Sequence, residues 1–270
     1  MSTTTTLPAT YTTLLSTFAD FLTISIHTIL YVRSLYPRTT FLTARAYNHA
    51  VHQSRHPALC AWITDAISAV SAAMLAGGVE RVVLVVYDTH QRPLERVVWD
   101  VSRFPVVGRE DRDTPIVRPG SSGGRGGGNN GGGGTGTGGL NIVDMEEQFR
   151  AAMARLSVCG EKLKPLPEGC SFTLAVELGD GAEAPLGHPQ VWIPIEPGLQ
   201  RGDGERGGQG GEKSDAADTR KRRERGEDLG GLKTMPVRAV DAGEMVFEMW
   251  IEEGKAKFEG SENSSSASSG

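Results

Sequence analysis

Cysteine is scarce in this chain of 270 residues, which has only Cys60, Cys159 and Cys170 and no pair at the two-residue spacing of metal or redox motifs. An odd number of cysteines without that spacing argues against a disulfide framework. The amino-terminal segment also lacks a basic stretch followed by an apolar core, which is the pattern of a secretion signal. We therefore expect the protein to work in a reducing intracellular compartment.

An excess of positive charge is also missing, because 28 basic side chains face 33 acidic ones and give a net charge of −5. Affinity for duplex DNA comes mainly from clustered lysine and arginine, so direct nucleic-acid binding is not expected. The most apolar run, residues 18–35, contains Asp20, His27 and Arg33, and its uncharged stretches are too short to span a bilayer. We expect protein partners rather than nucleic acid or a membrane.

Glycine, by contrast, is abundant and unevenly placed, with 24 of the 35 glycines in the tracts 108–139 and 198–231. Such tracts lack the apolar side chains that offset the backbone entropy lost on ordering. We interpret both tracts as disordered insertions and the serine-rich residues 259–270 as a disordered tail. The rest of the range 10–258 is long enough for one hydrophobic core, so a single domain is expected.

Hydrophobic periodicity in the remaining blocks predicts three helices and several strands. Residues 11–35 are apolar on more than one face and predict a central helix that is covered on several sides. A second helix begins at Pro57 and ends at Gly77-Gly78, and a third ends near Gly160. Strands are predicted at 81–87, 94–101, 171–178, 190–195 and 245–252, the first two as a hairpin. This order predicts an α+β fold with three helices packed on a mostly antiparallel sheet.

A group of possible metal ligands, His49, His52, His56 and Cys60, precedes or begins the second helix. Spacings of four bring His52, His56 and Cys60 to one helical face, so a zinc-binding protein or a zinc enzyme is one interpretation. However, the residue before a proline avoids the helical conformation, and Pro57 separates the histidines from Cys60. The interpretation that we favour is loop histidines and a core cysteine, with no metal site.

Motifs of catalysis are otherwise missing from the sequence. The chain has no G-x-S-x-G or H-E-x-x-H motif, and the G-x-G-x-x-G at Gly134, Gly136 and Gly139 follows a glycine tract rather than a strand. We therefore expect neither an enzyme nor a cofactor. A basic cluster at 220–225 fits a nuclear-import signal and fits equally a solvated run of charges.

Short segments along the whole chain resemble, in the same order, members of the HORMA-domain family, in particular the accessory subunits of translesion DNA polymerase zeta. The most typical segment is ILYVRSLYP at residues 29–37, at the end of the central helix. The other matching segments are 47–48, 54–59, 79–83, 92–95, 156–159, 169–173 and 232–235. Both glycine tracts fall between matching segments, as insertions do. The resemblance implies a HORMA fold with a carboxy-terminal segment called the safety belt.

The resemblance also implies a function, that of a non-catalytic adaptor in the nucleus. HORMA domains add a partner peptide as a strand to their sheet and wrap the safety belt over it, so that main-chain pairing gives affinity and side-chain pockets give selectivity. The belt is expected to run from about Leu178 to Met235. Trp62 and Trp192 match the aromatic residues that flank a proline-containing peptide in this family. The implied partner is the catalytic subunit of polymerase zeta.

Two further surfaces are implied by the same resemblance. Leu229, Glu248 and Trp250 match positions that recruit the deoxycytidyl transferase scaffold protein, and two of them, Glu248 and Trp250, differ from the family's residues. Arg150 matches an arginine that supports dimerisation of HORMA domains, with a solvated helix charge as the alternative. Another HORMA role, in the spindle checkpoint or the meiotic axis, is the alternative function, because the clamp is shared and only the peptide differs.

Overall fold

The computed structural model describes residues 9–117, 142–182, 192 and 233–258. Its helices are α1 (Tyr11–Val32), α2 (Pro57–Ala76) and α3 (Ile142–Cys159). Its strands are β1 (Phe41–Ala46), β2 (His49–Ser54), β3 (Val79–Tyr87), β4 (Pro93–Asp100), β5 (Ser171–Leu178), β6 (Lys233–Ala242) and β7 (Met245–Glu253). All strand pairs are antiparallel, so the predicted α+β class is confirmed for the described part of the chain.

The two ends of α1 follow from its sequence. At the amino terminus the Thr10 hydroxyl accepts the Thr13 N–H at 3.2 Å, and the Thr13 hydroxyl accepts the Thr10 N–H at 2.9 Å. At the other end Ser34 has a φ of 54°, which turns the chain out of the helix. The Leu35 N–H still donates to the Leu30 carbonyl at 3.1 Å, so the last turn remains bonded. The helix therefore ends at Val32, three residues before the predicted end.

The core lies between the helices and one face of the large sheet. Phenylalanines from three elements meet at its centre, where the rings of Phe18 and Phe247 are 5.2 Å apart and those of Phe21 and Phe149 are 4.8 Å apart. Burial of each such side chain stabilises the fold by on the order of 1.5–3 kcal/mol. By length and composition alone, α1 and α2 could each cross a membrane, but in this fold their apolar side chains fill the core.

The large sheet has five strands in the order β5-β3-β4-β7-β6. β3 and β4 form the predicted hairpin, β5 adds to β3, and the hairpin of β6 and β7 adds to β4 through β7. The sequence does not predict β6, because Pro236 interrupts its pattern; the strand owes its place to pairing with β7 and packing on α3. The predicted strand at 190–195 lies outside the described residues except for Trp192.

A second sheet, formed by β1 and β2, packs against α1. Its two-residue turn, Tyr47-Asn48, has φ values of 49° and 55°, the geometry of a type I′ turn. Tyr47 is an unusual residue for this geometry, and its ring is held edge-to-face on Phe149 at 5.0 Å. The sequence pattern does not predict this hairpin, because its first turn position holds Tyr47 instead of the usual glycine or asparagine, and core packing stabilises that residue there.

The ordered chain continues into the start of the first predicted insertion. The side chain of Arg112 donates to the Leu75 carbonyl of α2 at 2.5 Å, and the Ile116 N–H donates to the Ala9 carbonyl, next to α1, at 2.7 Å. These two hydrogen bonds connect the start of the predicted insertion to the helices, and its assignment as a disordered insertion stays a prediction. The rest of that insertion, the tract 198–231 and the tail 259–270 lie outside the described residues.

His27 connects α1 to β2. Its side chain is buried, and its Nδ1 accepts the Ser54 N–H at 3.4 Å. Burial lowers the pKa of His27 below the ordinary value of histidine. The neutral ring is therefore the form that the fold requires.

We expect the free energy of unfolding to fall as the pH drops below about 6.5, because the unfolded chain then binds a proton that the folded His27 does not. His27→Asn offers an amide oxygen in place of Nδ1 and should flatten this pH dependence. His90→Asn, in an exposed turn, is the matched control and should leave it unchanged. Urea unfolding at about pH 7 and at about pH 5.5 measures how much the free energy of unfolding of each variant changes between the two pH values. If this change were the same for wild type and for His27→Asn, His27 would not be the source of the pH dependence.

Candidate functional site

The large sheet has two edge strands within the described residues, β5 and β6. β6 is poorly suited to further pairing, because Pro236 lacks an N–H and the register shifts between Pro236 and Arg238. β5, with the sequence SFTLAVEL, contains neither proline nor lysine. Edge strands without such protection are where another chain pairs, so β5 is the candidate binding edge.

The one charged residue of β5 is tied back to the sheet. Glu177 accepts a hydrogen bond from Arg81 at 2.9 Å and also pairs with Arg96. Both arginines lie on inner strands, and Arg81 additionally donates to Asp100 at 3.1 Å. A carboxylate neutralised in this way opposes an incoming strand much less than a free edge charge does. Among the described residues, the β5 edge therefore presents no unpaired side-chain charge to an incoming strand.

Three aromatic rings line the beginning of β5. Phe172, on the strand itself, packs edge-to-face with Trp62 of α2 at 5.1 Å and with Tyr36 at 6.4 Å. Trp62 and Phe172 are half-buried, and Tyr36 is 37% exposed, so all three retain accessible surface. Rigid aromatic rings beside an unpaired strand edge suit the binding of proline rings and other apolar side chains. These rings are called the aromatic row below.

Only Trp62 of this aromatic row is predicted from the sequence, through the resemblance to the HORMA-domain family. Its place off the apolar stripe of the second helix, Leu59, Ile63 and Ile67, supports that prediction. Phe172 is identifiable only as a strand residue, and Tyr36 only as the residue before Pro37. No sequence signal brings these two rings to Trp62, because their proximity depends on the pairing of β5 with β3. The only local indication of the aromatic row in the sequence is Tyr36-Pro37, in which an aromatic residue follows a helix directly.

Trp192 packs against the same core and is partly buried. Its indole N–H is buried and has no hydrogen-bond partner among the described residues. An unpaired buried donor is costly, and in native proteins it commonly serves a ligand or an ordered water. The N–H of Trp192 thus suits a carbonyl of a bound peptide. The ring that contacts Trp62 is Phe172 rather than Trp192, so joint gripping of a peptide by both tryptophans stays a prediction.

A cavity of about 500 Å³ lies next to the beginning of β5. Its walls are the end of α1 and the loop 160–170 that leads into the strand, and its lining includes Leu35, Pro167 and Cys170. Leu35 and Cys170 directly precede Tyr36 and Ser171 in the chain. A peptide strand paired with β5 could therefore turn away from the sheet at this end, because the cavity offers space for its flanking residues.

Trp250 has its side chain inside the protein. It is 3% exposed, its Nε1 donates to the Glu252 carboxylate at 2.6 Å, and the Arg81 guanidinium lies 5.8 Å from its ring centre. A scaffold protein bound at this position would contact the charged groups around the ring, Glu252 and Arg81, before the ring itself. Glu248, on the same strand, is half-buried, and Leu229 lies outside the described residues. The scaffold-binding role of these three residues stays a prediction.

Arg150 lies on α3 with 40% of its side chain exposed, and it pairs with Glu147 one turn earlier at 2.7 Å. A pair of this kind on a helix surface contributes only about 0.3–0.5 kcal/mol. The guanidinium can therefore exchange Glu147 for a partner's carboxylate at little cost. Its role in dimerisation stays a prediction.

The possible zinc ligands have separate tasks in the fold. The ring of His52 stacks on Tyr31 with 3.5 Å between centroids, and His56 caps α2 by accepting a backbone N–H of the first turn at 3.3 Å. The Cys60 thiol donates to the Ser54 carbonyl at 3.2 Å. The described residues contain no group of three or more side chains arranged to hold a metal ion. His52, His56 and Cys60 are thus engaged in stacking, helix capping and a hydrogen bond, and the zinc interpretation stays an untested alternative.

Trp192→Phe and Trp250→Phe are a matched pair, because each removes an indole N–H and keeps a flat ring. Trp250→Phe breaks a hydrogen bond to a carboxylate, and we expect it to lower the free energy of unfolding by about 1.5–3 kcal/mol. Trp192→Phe removes an unpaired buried donor and should leave stability within about 0.5 kcal/mol of wild type. Denaturant unfolding of the two variants would contradict this assignment if Trp192→Phe were the more destabilising change.

Comparison with known proteins supports one family. A family model described as HORMA domain matches residues 15–186. The chain is 29% identical over 235 residues to the DNA polymerase zeta processivity subunit of Schizosaccharomyces pombe, which covers 87% of this chain and 90% of that protein. It is 28% identical over 172 residues to the mitotic spindle assembly checkpoint protein MAD2B of Homo sapiens, over 64% of this chain and 69% of that protein.

Solved structures share the fold at low sequence identity. A chain in the crystal structure of the mitotic checkpoint complex matches with a TM-score of 0.57 and 14% identity, over 89% of this chain and 98% of its own length. HTP-2 of C. elegans, bound to HTP-3 closure motif 1, matches with a TM-score of 0.54 and 11% identity, over 92% of this chain and 88% of its own length. The helices, the antiparallel sheet and the match over more than half of the sequence agree. The chain belongs to the HORMA-domain family.

Proposed function

We propose that this protein is a non-catalytic adaptor that captures a proline-containing segment of the catalytic subunit of DNA polymerase zeta and so supports translesion DNA synthesis. The segment adds as a strand to β5, and residues from about Leu178 to Met235 close over it as a safety belt. Relatives named as the processivity subunit of this polymerase support the choice of partner. The observation that carries the proposal is the unprotected β5 edge with the aromatic row at its beginning.

Recognition in this scheme is divided between the main chain and side chains. Pairing with β5 supplies affinity that depends little on the peptide sequence, because it uses the C=O group of every residue and the N–H group of every residue except proline. Selectivity for proline comes from the aromatic row, since flat rings bury a proline ring at little cost in side-chain entropy. The N–H of Trp192, which has no partner among the described residues, would add one directed hydrogen bond to a peptide carbonyl.

The position of β5 and β6 suits a belt between them. These strands stand at opposite edges of the sheet, with Leu178 ending the first and Lys233 beginning the second. The sequence between them contains the glycine tract 198–231. Lengthening a flexible connection costs only about 0.6 kcal/mol per doubling, so an insertion of this length is compatible with closure.

The same adaptor is proposed to act in the nucleus, where polymerase zeta works, and to join further proteins. The scaffold protein with deoxycytidyl transferase activity would bind at Leu229, Glu248 and the charged surroundings of Trp250. A second HORMA domain would bind at Arg150. Glu248 and Trp250 lie on β7 and Arg150 lies on α3, so these partners would use elements other than the β5 edge, with Leu229 as the one position within the belt.

A different HORMA role is the second candidate. Solved structures with this fold include a mitotic checkpoint complex and HTP-2 bound to closure motifs. Strand addition and closure of the safety belt would be the same in each role, so the identity of the captured peptide distinguishes the roles. Affinity purification from the native cell, with identification of the bound proteins, separates polymerase subunits from checkpoint or meiotic-axis proteins.

Strand addition predicts an alternating pattern along the backbone of the captured peptide. We expect methylation of single peptide nitrogens to weaken binding by about tenfold or more at every second residue, where the N–H faces β5, and much less in between. Fluorescence anisotropy with labelled peptides from the catalytic subunit measures this pattern. Loss of binding without alternation, or tolerance at every position, would contradict capture by β5.

Trp62→Ala should weaken binding of the same peptide by more than about 1 kcal/mol, because it removes the ring that packs on Phe172 at the edge. Trp62→Tyr keeps a flat ring and should retain most of the affinity. Val158→Ala, on the exposed side of α3, is the control for a surface truncation elsewhere. If Trp62→Ala binds as tightly as wild type, Trp62 is not part of the peptide site.

A further inference from the structure

A single hydroxyl residue of this chain is directly followed by proline, namely Thr114 before Pro115. A threonine or serine before proline is the minimal sequence that proline-directed protein kinases modify. Thr114 and Pro115 are both exposed, and they lie in the connection between β4 and α3. The Thr114 hydroxyl is therefore accessible to an enzyme.

Main-chain hydrogen bonds on both sides of Thr114 hold residues 108–117, called the anchored segment below, against the beginning of α1. The Thr12 N–H donates to the Arg112 carbonyl at 3.2 Å, and the Ile116 N–H donates to the Ala9 carbonyl at 2.7 Å. Thr114 lies midway between these two bonds in the chain. A group attached to its hydroxyl would therefore be close to the amino-terminal end of the helix.

This end of α1 has no acidic side chain in its first turn. The N–H groups at the beginning of a helix, together with the helix dipole, favour negative charge there. Thr10 caps the helix with a neutral hydroxyl. A phosphate on Thr114, with about two negative charges at pH 7, would supply the charge that the first turn lacks.

Arg112 provides a guanidinium beside the same turn. Its Nη2 donates to the Leu75 carbonyl, near the end of α2, at 2.5 Å. Its positive charge opposes the rise in the pKa of Tyr11 that burial causes, which agrees with a place near the first turn of α1. Its Nε is buried and has no hydrogen-bond partner among the described residues. Arginine binds phosphate through several N–H groups at once, so this donor suits a phosphate two residues along the chain.

The acidic neighbours of Thr114 oppose a phosphate only weakly. Glu110, Asp111 and Asp113 are all exposed. Water and salt screen the repulsion between exposed charges. Arg112 is half-buried, so its attraction for a phosphate is screened less and outweighs this repulsion.

We propose that Thr114 is a phosphorylation site of a proline-directed protein kinase, and that its phosphate fastens the anchored segment to α1 through Arg112. The γ-phosphoryl group of ATP passes to Oγ1 of Thr114. The bond between the γ-phosphorus and the bridging oxygen breaks, an Oγ1–P bond forms, and ADP and the hydroxyl proton leave. The kinase acts while the segment is transiently released, and the phosphate then favours the anchored form, which places it beside the first turn of α1. Neither the site nor its effect depends on peptide capture.

Incubation of the full-length protein with a purified cyclin-dependent kinase and ATP, followed by peptide mass spectrometry, tests the site. We expect phosphate on Thr114. Pro115→Ala keeps the acceptor hydroxyl and should slow phosphorylation of Thr114 by about tenfold or more, because the kinase loses the proline that it recognises. Pro105→Ala, in the same connection, is the matched control and should be modified as fast as wild type. An unmodified Thr114 in the wild-type protein, or equal rates for Pro115→Ala and wild type, would overturn the assignment.

Hydrogen exchange of the phosphorylated and the unmodified protein tests the effect of the phosphate. Phosphorylation should slow exchange in the anchored segment, with the Ile116 amide as reporter, by about threefold or more. Exchange in β3 should stay the same in both forms. Faster exchange in the anchored segment after phosphorylation, or an unchanged rate, would overturn the proposed fastening.

Arg112→Gln separates a specific contact from a general effect of charge. This change also removes the ion-like contact to the Leu75 carbonyl, so the phosphorylated variant is compared with the same variant without phosphate. The slowing by phosphate should be lost in Arg112→Gln. Arg109→Gln, at an exposed position of the same segment, is the matched control and should keep it. Equal slowing in Arg112→Gln and wild type would overturn the role of Arg112.

Discussion

Pairing of β7 with β4 is the constraint on which the rest of the structure depends. A sheet has two edges, and a hairpin that occupies the β4 side leaves β5 as the opposite edge. β6, which becomes the outer strand on the hairpin side, is protected by Pro236 and its register shift. β5 carries no comparable protection. The position of the hairpin therefore determines where a partner strand can add, and the aromatic row stands at that place.

Much of the fold follows from local sequence, and the exceptions have identifiable causes. The beginning of α1, both ends of α2 and the β-branched run of β3 are strong local signals that the structure confirms. The hairpin of β1 and β2 was not predictable, because Tyr47 occupies a turn position that is normally taken by glycine or asparagine and is held there by core packing. β6 was not predictable for the opposite reason, since its pattern is broken by a proline that an edge strand tolerates.

The candidate site was predictable only in part. Trp62 stands out in the sequence because it leaves the apolar stripe of its helix, whereas Phe172 joins it through strand pairing that no local pattern encodes. Trp250, which the resemblance assigns to scaffold binding, is buried beside Glu252 with the Arg81 guanidinium near its ring, and the sequence gives no indication of these contacts. The spacing of His52, His56 and Cys60 gives no indication of the stacking, helix capping and hydrogen bonding that these side chains perform in the fold. Long-range charge pairs such as Lys257 with Glu95 leave no sequence signal at all.

The account joins these observations in one scheme: pairing with β4 and packing of Phe247 in the core fix the hairpin, β5 is left as the opposite edge strand, and β5 with its rings is proposed to receive a partner strand. The most direct test is nuclear magnetic resonance of the labelled protein with an unlabelled proline-containing segment of the catalytic subunit of polymerase zeta. Cross-strand contacts between the peptide main chain and residues of Ser171–Leu178, repeating every second residue, are the predicted result. A bound peptide whose main-chain contacts fall on β6 or on the helices, with none to β5, would contradict the account.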